Sequence, residues 1–67
     1  MSEHIKISLA AARVNAGMTQ RQAAKALGIS TATLVSWEKN KSTPRVDTAR
    51  RISELYKIPL ANIFLPE

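Results

Sequence analysis

Residues 20–38 read QRQAAKALGISTATLVSWE, and this stretch decides the fold of the chain. Apolar side chains recur in it at helical spacing, with an interruption at residues 27–30, which read LGIS. The apolar positions are Ala23, Ala24 and Leu27 before the interruption, and Leu34 and Trp37 after it. The pattern predicts two short helices joined by a tight turn, each with one face against a common core.

The residues at the ends of these two segments are typical of helix boundaries. Thr19 and Gln22 have the T-x-x-Q spacing of a capping box, in which each side chain satisfies a backbone amide of the first turn. Gly28 suits the left-handed conformation that ends a helix, because glycine has no Cβ to clash. Ser30 has the hydroxyl that an N-cap needs. Together these residues predict a helix-turn-helix with a defined crossing angle.

The second helix of this pair also has a surface that it does not need for packing. The side chains there are small, hydroxyl-bearing or basic, and none is acidic; the residues are Thr31, Ala32, Val35, Ser36 and Lys39. Such a surface suits the negative potential and the base edges of a DNA major groove. The sequence therefore predicts that this helix contacts DNA.

The rest of the chain predicts an all-α, compact domain of five helices without a strand. Residues that end or break helices divide it, namely Gly17, Asn40 and Pro59. Helices are expected at about residues 5–16, 20–27, 31–39, 45–57 and 60–64, within a single domain of residues 1–67. Trp37 shares the register of Leu34, which favours core packing over stacking on nucleic acid.

The balance of charge favours a polyanionic partner. The 67 residues include ten Lys or Arg against five Asp or Glu, a net charge of +5. The absence of cysteine excludes a disulfide-built secreted module and suggests a reducing compartment. Apolar runs fall short of the ~20 residues of a membrane span, and no signal peptide is visible. We expect a cytoplasmic protein without a membrane partner.

The residue types also argue against catalysis. The sequence shows no nucleophile–base pair, no cluster of metal ligands and no glycine-rich phosphate loop. The single histidine, His4, lies in the N-terminal tail, where we expect it to be solvated. We therefore expect no enzyme activity, no metal or other cofactor, and no small-molecule ligand.

These residues resemble a known family, the phage repressor and Cro-type (XRE-like) helix-turn-helix domains. The specific part is the run I-S-x-x-T-L-x-x-W-E-x-N-x-x-x-P from Ile29 to Pro44, in which Asn40 stands where the family usually has glycine. The other matching residues are Leu9, Arg13, Gly17, Met18, Thr19, Gln20, Ala23, Ala24, Leu27, Gly28, Val46, Ile52, Leu55, Ile58 and Pro59. The resemblance covers nearly the whole chain and implies a lambda-repressor-like fold.

The resemblance also implies a function, namely binding a palindromic operator as a symmetric dimer and controlling transcription in a prokaryotic or phage-infected cell. It places the second motif helix in the major groove, with base contacts from Thr31, Ala32, Val35 and Ser36. It places Gln20 against a phosphate, and it implies a structural ion pair between Arg13 and Glu38.

Further phosphate contacts are expected from basic residues near the second motif helix. Lys39, Lys41 and Arg45 follow that helix directly, so the loop that contains them would pass beside the DNA backbone. Arg21 lies on the first motif helix and faces either a phosphate or water. The base-contacting surface lacks Arg, Asn and Gln, so specificity is expected to depend more than usual on methyl packing, water and DNA shape.

The C-terminal residues supply the expected dimer contact. Leu60, Phe64 and Leu65 follow a helix-breaking Pro59 and have too little chain after them to be covered. A chain without room for a separate dimerisation or ligand domain favours a minimal Cro-like repressor over a two-domain one. The alternative is an antitoxin, or another protein-interaction module of the same fold, that also binds its own promoter; the lack of an extended tail counts against it.

Overall fold

The structure, a computed structural model, describes residues 6–65 apart from the side chain of Phe64. The described chain forms four α-helices, one 3₁₀ helix and two strands of two residues each. The helices are α1 (Leu9–Asn15), α2 (Gln20–Leu27), α3 (Thr31–Glu38) and α4 (Val46–Tyr56). The 3₁₀ helix covers Leu60–Asn62, and the strands are β1 (Ile7–Ser8) and β2 (Ile63–Phe64).

The predicted count of five helices is wrong, because the last one is replaced by the short 3₁₀ helix and β2. Pro59 has no backbone N–H, so α4 cannot continue through it. Ile63 adopts an extended backbone with φ −106° and ψ 126°. It lies opposite Ile7 in a parallel pair of strands, β1–β2. The expectation of no strand is therefore also wrong.

The first helix begins later than predicted. The expected start at Ile5 lies outside the described residues, and within them α1 starts at Leu9. Ser8 precedes it with an extended backbone, and its hydroxyl accepts a hydrogen bond from the Ala11 amide at 3.0 Å. Ser8 thus belongs to β1 and also caps α1, which fixes the boundary between strand and helix.

Helices α2 and α3 form the predicted helix-turn-helix, and α3 ends at Glu38, one residue before the expected end. The Thr19 hydroxyl accepts from the Gln22 amide at 3.0 Å, and the Gln22 side chain accepts from the Thr19 amide at 2.9 Å. Gly28 follows α2 in the left-handed conformation with φ +71°. Ser30 caps α3 by accepting from the Thr33 amide at 3.1 Å. These contacts hold α2 and α3 at a fixed turn.

The core lies where the four helices meet. Ala23 and Ala24 of α2 are buried, and side chains this small allow neighbouring helices to approach α2 closely. Trp37 is buried with Leu34, so the prediction that it packs in the core is confirmed. The other buried apolar residues are Leu9, Ala12, Leu27, Ala49, Ile52, Tyr56 and Ile63.

Candidate nucleic-acid interface

The side of α3 away from the core is a small solvent-facing surface. Thr31 and Ala32 are exposed, and Val35 and Ser36 are half-buried. These four residues define the outer face of α3, and they are the predicted base contacts. Burial of Leu34 and Trp37 on the opposite side fixes the rotation of the helix, which directs the outer face to solvent.

The loop after α3 folds back onto the outer face. Ser36 Oγ lies 2.8 Å from Ser42 Oγ, within hydrogen-bonding distance. The Lys41 backbone N–H donates to the Ser36 carbonyl oxygen at 2.9 Å. Asn40 turns the chain with φ +61°, as expected for a residue that ends a helix in the left-handed conformation. Both the backbone and the side chain of Ser36 therefore contact the loop.

The structure brings Arg13 of α1 and Glu38 of α3 together. Arg13 Nε donates to Glu38 Oε2 at 2.7 Å, and Arg13 Nη2 donates to Glu38 Oε1 at 3.3 Å. Arg13 Nη1 also donates to the Met18 carbonyl oxygen at 2.8 Å. The two side chains are only 12% and 6% exposed. The contact is therefore a two-point, largely desolvated ion pair between α1 and the end of α3.

Gln20 also forms a hydrogen bond with this ion pair. Its Nε2 donates to Glu38 Oε1 at 3.0 Å. The residue was expected to contact a phosphate through its side chain and its amide at the start of α2. The structure places the side chain against Glu38, and the phosphate contact stays a prediction. Nothing local in the sequence signals this bond, because 18 residues separate its partners.

The Arg13–Glu38 pair has an electrostatic consequence for the outer face. Glu38 is the only acidic residue of α3, and its carboxylate is turned inward and paired. The hydrogen bond to Glu38 raises the pKa of the Arg13 guanidinium above its ordinary value, although desolvation opposes this shift. Arg13 therefore stays charged. The outer face of α3 presents no carboxylate that would repel a phosphate backbone.

The predicted phosphate-binding residues all lie on the surface. Lys39, Lys41 and Arg45 are exposed in and beside the loop after α3. Arg21 is exposed in the first turn of α2. These four cations are therefore accessible on α2 and on the loop after α3, which border the outer face. Their contact with phosphate stays a prediction.

Tyr56 is buried in the core, and its phenol hydroxyl is the polar part of its side chain. The residue is 2% exposed, and its hydroxyl has no hydrogen-bond partner within residues 6–65. Burial raises the pKa of the phenol to about 12; the negative charge of Glu38 adds to this shift and Arg13 opposes it. The hydroxyl therefore lies within the field of the ion pair without a hydrogen bond to it.

The predicted dimer contact is only partly described. Leu60 and Leu65 are half-buried, and Leu65 packs against the core of its own chain. The Phe64 side chain lies outside the described part. The next residue back, Ile63, is buried in the core. The role of this segment in dimerisation stays a prediction.

Residues 6–65 contain no group of three or more His, Cys, Asp or Glu side chains arranged to hold a metal ion. Over the same range, no helix has the length and apolar character that crossing a bilayer requires.

Comparison with known proteins identifies the class. Residues 9–63 match a family model described as helix-turn-helix. The chain therefore belongs to the helix-turn-helix family of the Cro/C1 type, the XRE-like DNA-binding regulators of transcription. The family suspected from the sequence is thus confirmed. No curated protein and no solved structure gives a significant match to the chain.

Proposed function

We propose that the protein binds a palindromic duplex operator as a homodimer, with α3 in the major groove, and regulates transcription in the manner of a Cro-like or repressor-like protein. The observation that supports this best is the outer face of α3. It is accessible, its side chains are small or hydroxyl-bearing, and the one acidic residue of the helix is buried in the pair with Arg13.

The four residues of the outer face have different chemical roles in this proposal. The Thr31 and Ser36 hydroxyls can donate to or accept from base edges. Ala32 and Val35 can contact a thymine methyl or fill space in the groove. None of the four forms the two-point contacts of Arg, Asn or Gln, so DNA shape and ordered water contribute to the choice of site.

The flanking cations fix the register of α3 on the duplex. Lys39, Lys41 and Arg45 would contact phosphates on one side of the helix, and Arg21 would do so on the other, together with the backbone amide of Gln20 at the start of α2. The amides of the first turn of α2 add to this attraction, because the positive end of a helix dipole favours an anion. Such contacts position the protein without selecting a sequence.

Two protomers would place their α3 helices in successive major grooves. The separation required is about 34 Å, one turn of B-DNA, so the half-sites of the operator are related by a two-fold axis. The C-terminal segment with Leu60, Phe64 and Leu65 is the proposed contact between the protomers. An operator read this way has dyad symmetry.

Selection of bound duplexes from a random pool tests the proposal. We expect the enriched sequences to show dyad symmetry. Thr31→Ala and Ser36→Ala should each change the preferred bases, because base-edge contacts discriminate, whereas Lys41→Ala should weaken all sites alike. Enriched sites without symmetry, or one profile shared by all three variants, would contradict the proposal.

The salt dependence of affinity is a second, independent test. The logarithm of the association constant should fall linearly with the logarithm of salt concentration, with a slope of about −0.9 per phosphate neutralised. Lys41→Ala should reduce the magnitude of that slope by about one. An affinity that is indifferent to salt would rule out the role given to the flanking cations.

A further inference from the structure

The loop after α3 contributes a hydroxyl that the proposed DNA contacts leave out. Ser42 Oγ lies 2.8 Å from Ser36 Oγ, six positions back in the sequence. Ser36 belongs to the outer face of α3, whereas Ser42 is exposed in the loop between α3 and α4. The hydrogen bond therefore connects a base-contacting side chain to a loop residue with no contact of its own in the proposal.

Three neighbouring features hold Ser42 in place. On its N-terminal side, Asn40 turns the chain with φ +61°, and the Lys41 N–H donates to the Ser36 carbonyl oxygen at 2.9 Å. On its C-terminal side, Pro44 is buried. Because the backbone is already fixed at both ends, the hydroxyl pair does not have to offset the entropy of ordering the loop.

A serine hydroxyl has one hydrogen to donate and two lone pairs to accept with. If Ser36 donates its hydrogen to Ser42, it presents only lone pairs to the groove, which suit the amino group of adenine or cytosine. If Ser36 accepts from Ser42, it keeps its hydrogen for guanine O6 or N7, adenine N7 or thymine O4, and it keeps one lone pair, both in directions set by the bond to Ser42. A serine hydroxyl without this partner is free to rotate, so it presents its hydrogen and lone pairs in no fixed direction and discriminates less between bases.

We propose that Ser42 is a specificity-determining positioning residue, whose hydrogen bond fixes the direction in which the Ser36 hydroxyl presents its remaining hydrogen or lone pairs to the bases. The inference rests on the proposed function, since it requires α3 in the major groove. Exclusion of water from the interface on binding strengthens the bond and removes the solvent that would otherwise replace Ser42.

The test is selection from a random duplex pool with the parent, Ser36→Ala, Ser42→Ala and the double variant. Ser42→Ala should reduce base preference by about 2- to 10-fold, the range expected for one net hydrogen bond. The loss should fall on the half-site position that Ser36→Ala alters, with the other positions unchanged. In the Ser36→Ala background, Ser42→Ala should have no further effect, because it acts through Ser36.

Ser42→Thr is the matched control, because threonine keeps the hydroxyl and should restore the parental profile. Helical circular dichroism and urea midpoints should match the parent for all loop variants, since Ser42 is exposed. An unchanged Ser42→Ala profile, or a uniform loss like that of Lys41→Ala, would overturn the inference while leaving the proposed function intact. A parent that enriches no sequence would overturn both.

Discussion

The Glu38 carboxylate accepts hydrogen bonds from two other helices. Arg13 of α1 contributes two of them and Gln20 of α2 contributes the third. A carboxylate this buried is stable only with such partners, because desolvation of an unpaired charge costs several kcal/mol. The three bonds fix the C-terminal end of α3 relative to both neighbouring helices, and with it the angle at which α3 would enter a groove.

Loss of Glu38 should therefore be severe. Glu38→Ala leaves the Arg13 charge buried without its partner, and breaking such a pair costs about 3–5 kcal/mol. Small domains have only about 5–15 kcal/mol of stability in total. Urea denaturation should show a large fall in the midpoint of unfolding.

The double variant Arg13→Met with Glu38→Leu is the control, because it removes both charges and keeps apolar volume. It should recover part of the stability lost by Glu38→Ala. A Glu38→Ala midpoint close to that of the parent would mean that the pair contributes no more than a surface ion pair, about 0–1 kcal/mol.

Tyr56 differs from Glu38, because its buried hydroxyl has no hydrogen-bond partner in the described chain. Burying a hydroxyl without a hydrogen bond costs about 1–3 kcal/mol in protein mutational data. Tyr56→Phe keeps the ring and removes that cost. We expect the variant to unfold at a higher urea concentration than the parent at pH 7; an equal or lower midpoint would indicate that the hydroxyl is satisfied.

Tyr56 should also make the protein less stable at high pH. The phenol has an ordinary pKa of 10.0, and burial raises it to about 12 in the folded protein. Between these values the unfolded chain has lost the proton that the folded protein retains, so the free energy of unfolding falls as pH rises. Comparing Tyr56→Phe with the parent across pH 9–12 isolates this effect, since the difference in stability between them should widen over that range.

At the scale of elements, the ends of the helices depend on left-handed residues. Gly17 and Gly28 adopt positive φ at no steric cost. Lys57 ends α4 with φ +58°, although its Cβ makes this conformation unfavourable. The sequence predicts a helix end at this residue but not its left-handed conformation, because a lysine gives no sign of positive φ.

Lys57→Gly should accordingly stabilise the protein. Relief of the left-handed strain, about 1–2 kcal/mol, exceeds the added entropy cost of glycine, about 0.5–1 kcal/mol. The matched control is Lys57→Ala, which also removes the charge but keeps a Cβ. Thermal denaturation should rank Lys57→Gly above Lys57→Ala, and the reverse order would exclude a strained end of α4.

At the scale of the whole molecule, the proposed function requires two protomers to associate. If the C-terminal segment forms the dimer contact, Leu60→Glu should lower the dimer fraction and flatten the cooperativity of DNA binding, because it introduces a charge into an apolar contact. Val14→Glu is the control, since Val14 is an exposed apolar residue of α1 with no assigned contact. Sedimentation equilibrium measures both variants.

Retention of the helical signal by Leu60→Glu would show that only association is affected. A Leu60→Glu variant as dimeric as the parent would place the interface elsewhere. Because both substitutions change the net charge equally, a difference between Leu60→Glu and Val14→Glu reports on position and not on charge.

The helix-turn-helix could be predicted from the sequence because its determinants are local. The capping box of Thr19 and Gln22 and the Ser30 cap each act over three residues, and Gly28 acts through its own φ. The spacing of Leu34 and Trp37 defines the buried side of α3, and so also its outer face. Such local signals can be recognised from the sequence alone, because the residues involved lie close together in the chain.

The tertiary structure alone decided the features that join distant parts of the chain. The pairing of Ile7 with Ile63 gave two short strands where helices were expected, because two-residue strands are too short to show an alternating pattern. The bond of Gln20 to Glu38 and the unpartnered Tyr56 hydroxyl depend on how the packed helices are oriented. Their physical cause is the packing of the whole core, which no single segment of sequence encodes.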